Sequence, residues 1–348
     1  MSGHPVLLSP EGTSRIITLG GAGCIHQICN DHDHVLKAPL RHNTQGCSEK
    51  TIKSVEGREE FSELCLTREK LVYQNLPQNH PNILNYFAIT DQGIQLPYLR
   101  NGDVRSYSQN NPIDMKTRNR WIENAIDAIS TIHACGIVHS DISPRNFLVA
   151  DDLSIRLCDF AGSRINDLDS LVEEETRYRL PSHFRTTTTD IFALGSFIYE
   201  VSTGSLPFAD IEDDDQIERM FTERKFPNLE ALEHRDVISK CWNAQYASAD
   251  LIRADLHHRK PTEHSLNYRN RLLLSTSMII GIGYFMWMYS ARKRFWFCSK
   301  FCSFFALLHH LIPMAHILRL DPQALVYMLT LHVLVCLPLF WNVSFTVC

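Results

Sequence analysis

The sequence predicts an α+β protein followed by an apolar C-terminal tail. Short runs rich in β-formers, such as 15–19 and 35–37, occur early in the chain. From residue 59 to residue 76, apolar side chains recur at three- and four-residue intervals, which is typical of an amphipathic helix. Beyond Leu266 the only acidic residue is Asp321, so the composition changes there from one typical of a soluble protein to a mainly apolar one.

The overall composition is that of a globular protein, and no nucleic-acid partner is expected. Apolar residues make up 44% and charged residues 21%, and the net charge is −5. A length of 348 residues exceeds most single cores and predicts two or three units. The 11 cysteines are scattered without a Cys-x-x-Cys pair, which predicts reduced thiols in a cytoplasmic domain. No basic-then-apolar signal segment opens the chain, so secretion is not expected.

A run of polar side chains near the middle of the chain has a spacing suited to metal and phosphate chemistry. Asp141 is followed five residues later by Asn146, and Asp159 stands thirteen residues beyond that. Asn146 and Asp159 offer the oxygen ligands that Mg²⁺ prefers, while Asp141 can accept a proton from an attacking alcohol. The stretch from His139 to Asn146 and the Asp159-Phe160 turn resemble the catalytic loop and metal-binding turn of the protein kinases, H-R-D-x-x-x-x-N and D-F-G.

A glycine-rich turn upstream is similar to the phosphate loop of the same family. The spacing Gly21-x-Gly23-x-x-His26-x-Ile28 matches G-x-G-x-x-G-x-V, except that His26 replaces the third glycine. Such glycines let backbone N–H groups approach phosphate closely. On its own the turn is equally consistent with a plain hairpin. The kinase interpretation is favoured because Lys37 follows at the end of a strand, as the lysine of the kinase V-A-I-K motif does.

The resemblance implies how ATP would be held. Lys37 would pair with Glu69 on the following helix and orient the α- and β-phosphates. The alternative is that Glu69 is one of several solvated acids on that helix. Leu96 would line the back of the nucleotide pocket, and backbone groups near Leu99 would bind adenine. Gly21 and Gly23 of the glycine turn, together with Ile28, would contact the nucleotide.

The resemblance also implies the chemical roles. Asp141 would orient and deprotonate a protein hydroxyl, with Ser/Thr favoured over Tyr as acceptor. Asn146 and Asp159 would hold Mg²⁺, and Arg145 would stabilise charge on the transferred phosphoryl group. ATP and Mg²⁺ are therefore the expected cofactors, and a protein substrate is the expected partner.

Structural roles are implied for His139 and Phe160, and for Asp190 as the buried acid that holds the catalytic-loop backbone. An ordinary helix N-cap is the other interpretation of Asp190. All the motifs occur over residues 14–258 in the order found in kinases. Their local sequences resemble those of a group of small, divergent fungal protein kinases. The implied fold is two-lobed, with a β-rich N-lobe above a helical C-lobe.

The chain divides accordingly into five predicted segments. An N-terminal extension covers residues 1–13, the N-lobe 14–97 and the C-lobe 98–258. A basic linker at 259–271 leads into the apolar tail at 272–348.

Several positions depart from the kinase pattern. Ser140 replaces the arginine before the catalytic Asp, which makes activation-loop phosphorylation a less favoured switch. Ser143 stands where Ser/Thr kinases place a lysine, whereas Arg145 matches an arginine of tyrosine kinases. Ala161 replaces the glycine of D-F-G, and the stretch 179–183 lacks the Glu of Ala-Pro-Glu.

These departures keep a second function open, that of a pseudokinase scaffold that binds nucleotide or partners without catalysis. His26, Ser143 and Ala161 favour it. Against it, the four residues whose loss most often ends catalysis are all present: Lys37, Asp141, Asn146 and Asp159.

The tail contains three apolar runs that are candidate membrane helices. Residues 272–291 carry no charge and are long enough to cross a bilayer core of about 30 Å, while 301–318 and 324–348 are interrupted by His and Pro. The tail is predicted to anchor a cytoplasmic kinase domain to a membrane. Alternatives are a mis-joined exon or read-through intron, a soluble core helix, and a membrane protein whose tail carries the function.

Overall fold

The computed structural model describes residues 3–258, which form a β-rich N-terminal lobe and a larger helical lobe. The first lobe contains one long helix, α1 (Glu49–Asn75). Its strands are β1 (Val6–Leu7), β2 (Thr13–Leu19), β3 (Cys24–Ile28), β4 (His34–Ala38), β5 (His42–Asn43), β6 (Ala88–Ile89) and β7 (Ile94–Pro97). The mixture of helices and strands, and the order of the two lobes, agree with the fold predicted from the sequence.

The second lobe is mainly helical. Its helices are α2 (Val104–Asn110), α3 (Met115–Ala134), α4 (Thr187–Thr203), α5 (Asp214–Thr222), α6 (Arg235–Trp242) and α7 (Ala249–His258). Four short strands form two antiparallel pairs: β8 (Ile137–Val138) with β11 (Arg164–Ile165), and β9 (Phe147–Val149) with β10 (Ile155–Leu157). The stretch 139–146 therefore lies between β8 and β9, and the Asp159 turn lies between β10 and β11.

A five-stranded antiparallel sheet in the order β2-β3-β4-β7-β6 forms the centre of the N-terminal lobe. Directly opposite residues in antiparallel strands share one face, so the register shows which side chains meet. Lys37 on β4 lies opposite Ile25 on β3 and Ile94 on β7, and Val35 lies opposite Leu96. Residues two apart on a strand also share a face, so these five side chains lie on the same side of the sheet.

Helix α1 begins at Glu49, well before the amphipathic pattern that starts near residue 59. The side chain of Ser48 accepts a backbone N–H of the first turn and so caps the helix. Most side chains from 49 to 58 are exposed, so this part has no apolar periodicity that the sequence could reveal. Further along, the Ser62 hydroxyl accepts the Leu40 N–H at 2.9 Å and donates to the Ala22 carbonyl at 3.2 Å, which ties α1 to the sheet.

The core of the helical lobe is centred on α3 and α4. Trp121 of α3 is fully buried, and its indole N–H donates to the Leu153 carbonyl at 2.8 Å. Helix α4 is buried around most of its circumference, as expected for a helix that is apolar on nearly all sides. Trp242 of α6 packs against it and donates its indole N–H to the Ser196 hydroxyl at 3.0 Å.

No helix within residues 3–258 is both long and apolar enough to cross a lipid bilayer. The predicted membrane helices at 272–291, 301–318 and 324–348 lie outside the described residues.

Replacing Gly195 with Ala should destabilise the protein, because the new Cβ would lie 2.7 Å from the Cβ of Cys241 across the α4–α6 contact. Overpacking of this kind lowers the free energy of unfolding by about 1–3 kcal/mol. The matched control is Gly57→Ala on α1, where a Cβ would meet no atom of residues 3–258 within 4 Å. That control should stabilise the protein by about 0.5–1 kcal/mol, because alanine is the better helix former. Urea unfolding of the full chain, followed by circular dichroism, measures both, and equal stabilities would contradict the close approach of α4 and α6.

Candidate active site

Lys37 lies between two carboxylates in the cleft between the lobes. Its Nζ is 2.5 Å from Oε2 of Glu69 on α1 and 2.7 Å from Oδ1 of Asp159, in the turn after β10. The Glu69 side chain is fully buried, so Glu69 is not one of the solvated acids of the helix. The structure thus brings three predicted site residues, from three separate elements, into one ion-paired cluster.

Burial and charge act in opposite directions on these groups. Burial alone lowers the pKa of Lys37, but Asp159 and Glu69 together raise it well above its ordinary value. Burial raises the pKa of Glu69, and the adjacent ammonium offsets only part of that rise. Burial also opposes the charge of Asp159, yet Lys37 lowers the pKa of that carboxyl overall. Lys37 is therefore charged and Asp159 is ionised near neutral pH.

Asp141 and Asn146 contact each other in the loop between β8 and β9. The Asn146 amide nitrogen donates to the Asp141 carbonyl at 2.6 Å and to the Asp141 carboxylate at 2.9 Å. Because the amide nitrogen faces Asp141, the amide oxygen is left as a possible cation ligand. Burial raises the pKa of Asp141, with His139 and Asn146 acting against that rise.

The donor set fits Mg²⁺ bound together with a nucleotide. The Asp159 side chain stays 43% exposed although one oxygen contacts Lys37, so the carboxylate is open to the cleft. Residues 3–258 contain no group of three or more His, Cys, Asp and Glu side chains that could hold a metal alone. Mg²⁺ usually binds one or two carboxylates and completes its shell with phosphate oxygens and water, and Asp159 with Asn146 suits that mode.

Asp190, in the first turn of α4, anchors the catalytic-loop backbone. Its carboxylate accepts the N–H groups of His139 at 2.8 Å and of Ser140 at 3.0 Å. It also lies 2.8 Å from Nε2 of His133, a contact that the sequence did not predict. The N-cap of α4 is Thr186, so the alternative interpretation of Asp190 as a helix cap is wrong.

Three rings connect α1 with the catalytic loop. The fully buried Phe160 ring lies 5.3 Å, centroid to centroid, from Tyr73 of α1 and 5.3 Å from His139. His139 also contacts the Cys158 carbonyl through Nε2 at 3.0 Å. The predicted structural residues His139 and Phe160 therefore pack against each other beside the Asp159 turn.

The predicted adenine region adjoins the Lys37 face of the sheet. Leu96 is buried and shares that face, while Leu99, just beyond β7, packs against the core. The intervening Tyr98 donates its N–H to the Asp33 carbonyl at 2.7 Å, so this backbone donor is already used by the protein.

The structure does not bring Ile28, predicted to contact the nucleotide, to the Lys37 face of the sheet. Ile25 lies directly opposite Lys37, and a shift of three residues along a strand moves a side chain to the other face. Ile28 therefore lies on the side of the sheet away from Lys37, as does the buried His26. Gly23 precedes this strand, and a Cβ there would lie 2.8 Å from the Ala38 carbonyl oxygen, so the close approach of the two strands requires glycine. Gly21 lies in the same turn, where a Cβ would meet no atom within 4 Å.

Arg145 is paired with an acid of the segment that follows the Asp159 turn. Its guanidinium forms an ion pair with Glu175, which also lies 3.4 Å from Arg105 of α2. The Arg145 side chain is 56% exposed, so the pair lies at the edge of the cleft. Arg145 was predicted to stabilise charge on the transferred phosphoryl group. In this structure its positive charge is already paired with Glu175.

The same segment contains a buried ion pair. Nη1 of Arg185 lies 2.6 Å from Glu174, and both side chains are almost fully buried. Nearby, a Cβ on Gly162 would lie 2.0 Å from the Val172 side chain. The close packing of Val172 thus requires glycine at position 162. This glycine stands one position after the glycine of the D-F-G motif.

Comparison with known proteins agrees with this geometry. The sequence model of the protein kinase domain matches residues 33–266, which is more than half of the chain. The chain belongs to the protein kinase family. Curated kinases that it resembles include "Discoidin domain-containing receptor tyrosine kinase B" of Caenorhabditis elegans, 24% identical over 255 residues, which are 65% of this chain and 30% of that protein.

Two further relatives are named for other acceptor classes. "Serine/threonine-protein kinase PDK1" of Cryptococcus neoformans is 22% identical over 228 residues, covering 60% of this chain and 17% of the relative. "Dual specificity protein kinase TTK" of Mus musculus is 25% identical over 254 residues, covering 64% and 28%. The kinase-like part of this chain thus spans less than a third of the length of each of these three relatives.

Proposed function

We propose that this chain is an active protein kinase that transfers the γ-phosphoryl group of Mg-ATP to a protein hydroxyl. The observation that supports this most is the buried contact of Lys37 with Glu69 and Asp159, next to the Asp141–Asn146 pair. Lys37 and Glu69 are desolvated together, and burying such charges costs several kcal/mol each unless they are paired, as they are here.

Each group has one role in the proposed reaction. Bound Mg²⁺ would neutralise charge on the phosphates, and Asp159 and Asn146 are the residues that would hold it. Lys37, kept in place by Glu69, would orient the phosphates. Asp141 would accept the hydroxyl proton of the substrate.

Ser and Thr are the acceptors favoured here. One of the relatives above is named a Ser/Thr kinase and another a dual-specificity kinase, although the first is named a tyrosine kinase. Arg145 resembles the tyrosine-kinase pattern in sequence, but its pairing with Glu175 weakens that argument. Phosphoamino-acid analysis of the product separates the two classes.

A pseudokinase scaffold is the second candidate, and one observation favours it. Ser143 is fully buried and its hydroxyl has no hydrogen-bond partner among residues 3–258, so this position supplies no cation beside Asp141. Arg145, two residues later, is already paired.

Phosphoryl transfer from labelled ATP by the full chain should be lost in Asp159→Asn, because the variant lacks the carboxylate that would hold Mg²⁺. Asp167→Asn, an exposed carboxylate in the same segment, is the matched control and should keep full activity. A wild-type chain that binds Mg-ATP without any transfer would instead support the scaffold.

The rate at low substrate should fall as pH decreases, starting at a pH above the ordinary pKa of an aspartate. Asp141 must be ionised to accept a proton, and burial raises its pKa, so protonation inactivates the site earlier as pH decreases. Glu175 contributes to that raised pKa, so Glu175→Gln should move the acidic limb of kcat/KM to lower pH. Circular dichroism at each pH controls for unfolding. An unmoved limb would show that a different group controls the profile.

Membrane attachment through residues 272–291 is also proposed, and it rests on the sequence alone. Fractionation of the full chain should place it with membranes, whereas a chain ending at residue 262 should stay in the supernatant. Sedimentation of the shortened chain with membranes would count against the anchor.

A further inference from the structure

Arg68 on α1 clasps the segment that follows the Asp159 turn. It is 6% exposed, and its Nη1 donates to the carbonyl oxygens of Ser163 and Asp169, each at 2.6 Å. The two acceptors stand at either end of a short segment that includes β11, so one guanidinium fixes both ends of that segment to α1. Arg68 did not stand out in the sequence, because its partners lie about a hundred positions away.

Burying the Arg68 guanidinium has a desolvation cost. Burial lowers the pKa of the Arg68 guanidinium, and the charge of Asp169 offsets part of that effect, although no carboxylate among residues 3–258 forms a direct ion pair with Arg68. A buried cation that donates only to carbonyl groups recovers less of its desolvation cost than one that also forms a direct ion pair.

Arg68 and its neighbour Glu69 hold the Asp159 turn from two sides. Glu69 accepts the Phe160 N–H at 3.4 Å, at the start of the turn, while Arg68 binds the Ser163 carbonyl at its end. The Ser163 hydroxyl in turn donates to the His139 carbonyl at 3.1 Å. The turn that carries the metal-binding carboxylate is thus held between α1 and the catalytic loop.

We propose that Arg68 is a positioning residue that fixes the Asp159 carboxylate in register with Lys37 through the Ser163 and Asp169 carbonyls. It contacts neither substrate nor nucleotide, and its effect on the rate rests on the kinase function proposed above. Without the clasp, the end of the turn is released while the Lys37–Glu69 pair remains. Mg²⁺ binding then weakens more than nucleotide binding, because Asp159 supplies the metal ligand and Lys37 a phosphate contact.

The test compares Arg68→Gln with Arg58→Gln in the full chain. Arg58 is an exposed arginine on the same helix, so both variants lose one positive charge from α1. The first readout is the ratio of ATP affinities with Mg²⁺ and with excess chelator, by calorimetry. The second is kcat beside KM for a generic protein substrate.

Arg68→Gln is expected to lose most of the Mg²⁺-dependent gain in ATP affinity while affinity in chelator stays unchanged. Its kcat should fall about 10- to 100-fold with little change in KM for the protein substrate, since misplacing a reacting group by about 1 Å has effects of this size. Arg58→Gln should match the wild type. Arg68→Lys, which keeps the charge but lacks the planar guanidinium, should lie between the two.

Two results separate this inference from the proposed function. An Arg68→Gln chain that keeps both the Mg²⁺ gain and kcat would overturn the positioning role, whatever the wild-type activity. A wild-type chain that transfers no phosphoryl group, but binds ATP more tightly with Mg²⁺ than with chelator, would overturn the proposed function. The positioning role of Arg68 could still be measured in that chain from the ratio of the two ATP affinities. If Arg68→Gln does not fold, Arg68→Lys carries the test, and a wild-type Mg²⁺ gain and kcat in that variant would overturn the proposal.

Discussion

The buried contact of one ammonium with two carboxylates is the interaction on which the rest of the cleft depends. Lys37, Glu69 and Asp159 come from a strand, a helix and a turn, so none of these elements can shift far without breaking an ion pair. Losing Lys37 would leave the buried Glu69 carboxylate uncompensated, a loss that commonly costs about 3–5 kcal/mol. The sheet register, the position of α1 and the path of the chain after β10 are therefore coupled through one side chain.

The sequence predicted well those parts of the site whose members are close together in the chain. Asp141 and Asn146 stand five positions apart, and the loop that carries them folds so that they touch. The pairing of Lys37 with Glu69 was implied by the resemblance to the protein kinases, and the structure brings the two side chains together. Their roles in catalysis stay predictions. Their proximity depends on the packing of α1 against the sheet within one lobe.

Features that depend on strand register or on distant contacts could not be predicted in this way. Ile28 and Ile25 are both β-branched and three residues apart, and only the pairing with β4 shows which of them shares a face with Lys37. The early turns of α1 lack apolar periodicity, so its start at Glu49 was hidden. Contacts of Arg145 with Glu175 and of His133 with Asp190 join separate elements, and no local pattern marks them.

The packing of Val172 against Gly162 has a consequence for inhibitors of this cleft. A compound that occupied the space of the Phe160 ring would have to rotate the adjoining turn. That rotation would separate Gly162 from Val172 and the Phe160 ring from Tyr73 and His139 at the same time. Compounds that fill the nucleotide space and leave this turn in place avoid that cost, so the chain should discriminate between the two classes of ligand.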